Sequence, residues 1–302
     1  MQRIQLAEDL EFSRVIHGLW RLNEWNVSDG ELLNLIEWCI SQGITTFTFD
    51  HADIYGGYTC EKLFGGALSL SPSIRERIEI VTKCGIVIES PERPGNKSHH
   101  YNTSKSHILA SAEQSLLNLN TDYLDVLLIH RPDPLMDPEA VAEAFHALKS
   151  SGKVRYFGVS NFKAHQYRML ESYLDDPLIT NQIEISAYEL QNIHDGTLDF
   201  CQEKRIPPMA WSPLAGGSVF TGQSDKDLRI RAALRSVQEE IGAASIDEVM
   251  YAWLFTHPAD IMPIVGSGKE NRISAAVRAS AYKLSHDQWF RIYTGVQGCD
   301  IP

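Results

Sequence analysis

Three features of the 302-residue sequence predict an α/β fold, a (β/α)8 TIM barrel. Short apolar runs alternate with amphipathic helical patterns along the whole chain, which implies a parallel sheet. Eight such units suffice to close a barrel. No G-x-G-x-x-G follows the first run, where "SRVIHGLWRLNEW" has a single glycine, so a doubly wound open sheet is disfavoured. No break in composition divides the chain, and residues 1–302 are expected to form one domain.

In chain order, residues 1–14 read as a short hairpin closing the barrel's bottom. The apolar runs are "VIHG" (15–18), "TTFTF" (45–49), "IEIVT" (78–82) and "LDVLLI" (124–129). They continue with "VRYFGV" (154–159), "NQIEI" (181–185), "PMAW" (208–211) and "MPIV" (262–265). Between them, "DGELLNLIEWCISQG" (29–43) carries apolar residues at helical spacing and ends on glycine. "SKSHILASAEQSLLNL" (104–119) opens on a Ser cap, and "DPEAVAEAFHALKSSG" (137–152) has Pro138 at its first position. "SIDEVMYAWLFTHP" (245–258) opens on a Ser-x-x-Glu capping box. "SHDQWFRIYTGVQGCDIP" reads as an additional C-terminal helix. Two connections, 84–103 and 213–224, read as long unstructured loops, a length that favours function.

The formal net charge of −12 argues against nucleic acid or an anionic membrane as partner. No stretch nears the roughly 18 apolar residues of a membrane span, and the N-terminus has no signal-peptide apolar run. Five cysteines without C-x-x-C spacing exclude a disulfide framework or a zinc site, so a reduced, cytoplasmic protein is expected. His99-His100 lack a third ligand at metal spacing.

In a barrel of this kind, chemistry lies at the C-terminal ends of the strands. There the chain places Asp50, Lys83, His130, Ser160-Asn161, Gln182, Trp211-Ser212 and "GSGK" (266–269). Tyr55 follows Asp50 in "TFDHADIYGG". A phenol with a pKa near ~10 serves as general acid at neutral pH if an ammonium favours its phenolate. Lys83 supplies that ammonium, and Asp50 the anion that a buried ammonium needs. His130 would orient a carbonyl oxygen. These groups hold no electrons, so a nicotinamide must bring the hydride. Ser160, Asn161 and Gln182 offer partners for its carboxamide, and Trp211 a flat face. Lys269 and Arg272, three apart at a helix start, would share one helix face and suit a 2′-phosphate. GSGK is not a P-loop, because the upstream glycine spacing is missing.

These segments together resemble the aldo-keto reductase superfamily. "FDHADIYGG" is similar to its Asp-x-Ala-x-x-Tyr-Gly signature, "VTKCG" to its lysine strand and "LLIHRPDP" to its histidine strand. "GKVRYFGVSNF" and "NQIEIS" resemble its nicotinamide strands, "WSPLAGG" its pyrophosphate loop and "PIVGSGKENR" its adenosine-phosphate segment. The likeness runs from about residue 12 to about 280. It implies reduction of an aldehyde or ketone with NADPH, with Tyr55 as proton donor, Lys83 as its modulator, Asp50 paired to Lys83 and His130 orienting substrate. Ser160, Asn161 and Gln182 would hold the carboxamide, Trp211 would stack on the nicotinamide, and Ser212, Leu214 and Gly216 would follow the pyrophosphate. Ser267, Lys269 and Arg272 would take the 2′-phosphate, and Trp20 would line the substrate pocket. His51, where many relatives have Thr, and Arg131, where several have Trp, would be this chain's own pocket groups. Ala275-Ala276 replace a Glu-Asn pair used near adenine. Two alternatives stand beside this reading. One is a Schiff-base lyase using Lys83, which needs a neutral amine that Asp50 opposes. The other is a non-enzymatic partner protein sensing the nicotinamide. Cys84, beside Lys83, is read as a small buried residue, with a lowered thiol pKa as the alternative.

Overall fold

The structure, a computed structural model, describes residues 2–43 and 46–302. Eight parallel strands close in sequence order: β1 (Ile16–Gly18), β2 (Phe47–Asp50), β3 (Ile78–Cys84), β4 (Leu124–Ile129), β5 (Val154–Ser160), β6 (Asn181–Glu184), β7 (Met209–Trp211) and β8 (Met262–Val265). Closure is made by β8 on β1, with Ile264 opposite Ile16 and Val265 opposite His17. Thr45, which opens the second expected strand, lies outside the described residues.

Side chains alternate across each strand, and this divides the core into two layers. Val81, Val126, Leu128, Met209 and Met262 fill the barrel interior. Phe47, Phe49, Ile80, Leu127 and Ile129 face outward into the layer beneath the helices. The expected hairpin is present: Arg3–Ala7 pairs with Leu10–Ser13, and its Ile4, Leu10 and Phe12 plug the interior from below.

The outer layer comprises α1 (Asp29–Gln42), α2 (Cys60–Leu70), α3 (Lys105–Leu119), α4 (Pro138–Ser150), α5 (Ala164–Glu171), α6 (Thr197–Lys204), α7 (Asp225–Ile241), α8 (Ile246–Thr256) and α9 (Glu270–Ala279). Local chemistry sets their starts: Ser28 and Glu31 close a capping box on α1, and Asp137 caps α4 ahead of Pro138. The capping box expected at Ser245 does not form. Glu248 instead accepts from the Ala244 N–H at 3.0 Å and from Arg278 Nε at 2.8 Å. A charge-assisted partner on α9 outcompetes a local cap.

The additional helix α10 (His286–Gln297) is also present. Its Trp289 stacks on Trp253 of α8, and each indole N–H donates to the other residue's carbonyl, at 3.1 and 3.2 Å. The two long connections are partly ordered, contrary to expectation. Ile86–Val87 pairs with His100–Tyr101 in the first, and Ser218–Thr221 forms a helical turn in the second. Among the described residues, no helix is long and apolar enough to cross a membrane.

Candidate active site

The last residue of β2, Asp50, points into the barrel mouth beside Lys83 of β3. The Lys83 ammonium is fully buried and donates to both Asp50 carboxylate oxygens at 2.8 Å, to the His51 carbonyl at 2.6 Å and to Tyr55 Oη at 3.0 Å. Burial alone would lower the Lys83 pKa, but Asp50 and Tyr55 outweigh it and the ammonium is held above its ordinary value. That opposes the neutral amine a Schiff-base lyase requires. Burial pushes the Asp50 carboxyl up, while Lys83 and the Gln182 amide pull it back.

Tyr55 hangs from the loop after β2, which is fastened to β3 strand-fashion. His51 N–H donates to the Val81 carbonyl at 2.8 Å and Asp53 N–H to the Lys83 carbonyl at 3.1 Å. The chain then reverses through Gly56 and Gly57, at φ 60° and 65°. A Cβ on Gly56 would stand 2.6 Å from Cys60 Sγ, so glycine is required there on two counts. For the Tyr55 phenol, burial outweighs the pull of Lys83, and its pKa lies above the ordinary value. The expected pull of Lys83 toward the phenolate is present, and the resting group is a neutral acid.

His130 follows β4 and meets Tyr55 edge-on, with ring centroids 5.9 Å apart. Its Nδ1 is buried without a protein partner. Burial, then Lys83 and Arg131, hold its pKa well below 6.5, so the imidazole is neutral.

A polar chain continues around the mouth. Gln182 Nε2 donates to Asp50 Oδ1 at 2.8 Å, and Ser160 Oγ to the Gln182 carbonyl at 3.0 Å. Asn161, at φ 61°, donates its amide to Ser160 Oγ at 2.8 Å and accepts from Trp211 Nε1 at 2.9 Å. The sequence reading missed both the Gln182–Asp50 bond and the Asn161 clamp on the indole. Strand parity, which puts Gln182 inward, is the signal that pointed to the first.

Farther out, Ser212 and Gly216 take left-handed conformations at φ 50° and 62°, around Leu214. Ser267 is buried, its carbonyl bonded by His17 Nε2 at 2.9 Å and its Oγ accepting from Lys269 N–H at 3.3 Å. Lys269 is the cap of α9 and not a member of it, so it does not share a helix face with Arg272 as expected. Both are exposed. Ala275 and Ala276 face the core.

The three expected pocket groups part company. Trp20 is 59% exposed, with the Arg21 guanidinium over its ring. Arg131 is half-buried, 5.8 Å from the Trp211 ring centroid. His51 does not belong to the pocket. Its ring is fully buried on the outer side of the barrel, edge-on to Phe64 of α2 at 4.5 Å, because parity after Asp50 turns it outward. Burial, then Lys83 and His17, keep it neutral. Cys84 also faces outward, and burial with the Asp53 and Glu61 charges pushes its thiol well up. Both features exclude a reactive thiolate.

The Aldo/keto reductase family model matches residues 14–294. The chain is 80% identical to an uncharacterised oxidoreductase, YcsN, of Bacillus subtilis over 100% of both chains. It is 51% identical to the oxidoreductase YdhF of Escherichia coli, again over 100% of both. A 6-dehydroglucose reductase of Agrobacterium fabrum is 44% identical over 100% of both. With a family match across most of its length and full-length relatives at these identities, the chain belongs to the aldo/keto reductase family.

Proposed function

We propose that the protein reduces an aldehyde or ketone to an alcohol, with NADPH as reductant and Tyr55 as proton donor. The observation that carries this reading is the Lys83 ammonium, bonded at once to Asp50 and to Tyr55 Oη. When bound, NADPH would supply the hydride that the carbonyl carbon requires. The substrate oxygen accepts from Tyr55 Oη and from His130, whose neutral ring meets the phenol edge-on. As negative charge develops on that oxygen, the phenolic proton moves to it. The phenolate left behind lies against Lys83, whose charge compensates it where water is excluded.

The residues present fit the cofactor. Trp211 is held in one orientation by Asn161, a rigid face for a planar ring. Gln182 Nε2 is taken by Asp50, so its Oε1 is the atom left for a carboxamide N–H. A Cβ on Gly216 would meet nothing within 4 Å, leaving room for a pyrophosphate along the backbone. Exposed Lys269 and Arg272 at the start of α9 suit a 2′-phosphate. The expected 2′-phosphate group Ser267 lies beside them.

The test is NADPH consumption over a panel of aldehydes and ketones, with Tyr55→Phe as control. The variant should lose about 10²–10⁴-fold in kcat while still binding NADPH. Reduction at the parent rate would sink the assignment of Tyr55. If borohydride trapped substrate on Lys83, the lyase alternative would replace the reductase.

A further inference from the structure

We propose that Arg131 and Glu184 together read a hydroxyl group next to the substrate's carbonyl, so that hydroxylated aldehydes and ketones are preferred over plain hydrocarbon ones. This rests on the reductase reading above.

Glu184 ends β6 and pairs in register with Trp211 of β7. Two residues on from Gln182, whose amide reaches Asp50, it stands on the same inward face, one step closer to the mouth. Arg131 follows His130 and lies over the Trp211 ring from the other side of the mouth. The half-buried guanidinium thus stands 5.8 Å from the Trp211 ring centroid, and the half-buried carboxylate belongs to the residue paired with Trp211.

Neither charge is satisfied by protein. Among the described residues, the Glu184 carboxylate accepts no hydrogen bond, its carbonyl takes Asn192 Nδ2, and the Arg131 guanidinium meets only the Trp211 face. They do sense each other: burial and Glu189 push the Glu184 carboxyl up, and Arg131 draws it down. Yet they form no ion pair. Elsewhere in this chain, half-buried arginines do close on carboxylates, as Arg155 does on Asp125 at 2.8 Å.

A donor and an acceptor held apart select among ligands. An anion would gain from Arg131 and be repelled by Glu184. A hydrocarbon would desolvate both and satisfy neither, at a cost of roughly 1–3 kcal/mol for each group left unpaired. A hydroxyl can accept from the guanidinium and donate to the carboxylate at the same time. It is the smallest neutral group that satisfies both.

The experiment compares glyceraldehyde, propionaldehyde and glyoxylate as substrates with NADPH, in the wild type and in Arg131→Met, Arg131→Lys and Glu184→Gln. The readout is the ratio of kcat/KM values between substrates, whatever happens to absolute rates. Wild type should favour glyceraldehyde over propionaldehyde by about tenfold or more. Arg131→Met should collapse that ratio, whereas Arg131→Lys and Glu184→Gln, which keep a donor and a neutral acceptor, should each retain part of it. A wild-type ratio near unity, or a ratio unmoved in the variants, overturns the proposal and leaves the reductase reading intact. Preference for glyoxylate, abolished by Arg131→Met and strengthened by Glu184→Gln, also overturns it, in favour of an anion reader. If wild type consumes no NADPH with any of the three or with the wider panel, the reductase reading falls and this one with it.

Discussion

At the N-terminal end of the barrel, Asp125 is buried and accepts from Arg75 and from Arg155, both at 2.8 Å. Beside it Glu79 takes Arg3 and the hydroxyls of Thr46 and Thr48. At the C-terminal end, the buried Lys83–Asp50 pair and the more exposed Lys163–Asp195 pair are closed in the same way, but other charges around them are not. Arg131, Glu184, Lys269 and Arg272 make no ion pair among the described residues, although the chain bears 39 acidic against 27 basic groups, so that carboxylates are plentiful. A buried charge is tolerated only when paired. The unpaired charges at the mouth are instead half-buried or exposed and keep contact with water. The bottom uses its charges to seal the hairpin, and the mouth leaves its own without protein partners, where the proposals above assign them to ligand.

That contrast can be broken by experiment, and the largest effect is expected at the mouth. Lys83→Met removes the cation shared by Asp50 and Tyr55, and kcat/KM should fall on the order of 10³-fold. Steady-state NADPH oxidation measures it, with cofactor binding followed by tryptophan fluorescence. A loss smaller than about tenfold would mean that the mouth's closed pair serves stability like those below.

At the bottom, Asp125→Ala should act on stability alone. It leaves Arg75 without its carboxylate and Arg155 with only the exposed Asp9, at a cost of about 3 kcal/mol, the low end for a broken buried pair because Arg155 is a third exposed and water screens it. Urea unfolding reads this. An unchanged midpoint, or a fall in kcat at a temperature where the variant is folded, would erase the division between the two ends.

His17 sharpens the comparison, since it joins β1 to the Ser267 segment as a buried neutral group. Burial holds its pKa down to about 4, against an ordinary 6.5. The native ring stays neutral while the unfolded one protonates. Its contribution is therefore full above about pH 6.5 and is lost as pH falls toward 4. His17→Gln does not titrate, so its deficit against wild type should shrink by about 2 kcal/mol between about pH 7.5 and pH 5. A constant deficit would mean that the ring is not held neutral.

The smallest effect is expected at the rim. Arg272→Ala should weaken NADPH roughly tenfold and leave NADH nearly untouched, as loss of one charge-assisted hydrogen bond implies. Equal losses in parallel titrations of the two cofactors would withdraw the 2′-phosphate assignment.

Much of this was legible in sequence because it is local. Apolar runs at strand length and helical periodicity are written within a dozen residues, and all eight expected strands lie within a residue or two of the observed ones. The convergence of Asp50, Lys83 and His130 then follows from barrel closure alone, since strand ends share one rim. The misreadings concern partners. Ser245 looked like a cap until Arg278, on another helix, claimed Glu248. His51 looked like a pocket group because it neighbours Asp50, although the next residue on an extended chain points the opposite way.

By itself the sequence determined the barrel, its order and the identity of the groups at its mouth, because periodicity and strand ends are properties of short segments. Tertiary structure alone decided which of those groups are satisfied. Gln182 and Asp50 are 132 residues apart and bond only because closure brings β6 across from β2. The same closure brings Arg131 and Glu184 each beside Trp211 without pairing them. Hydrogen bonds and ion pairs form over a few ångströms, and only the closed barrel determines which side chains come that near.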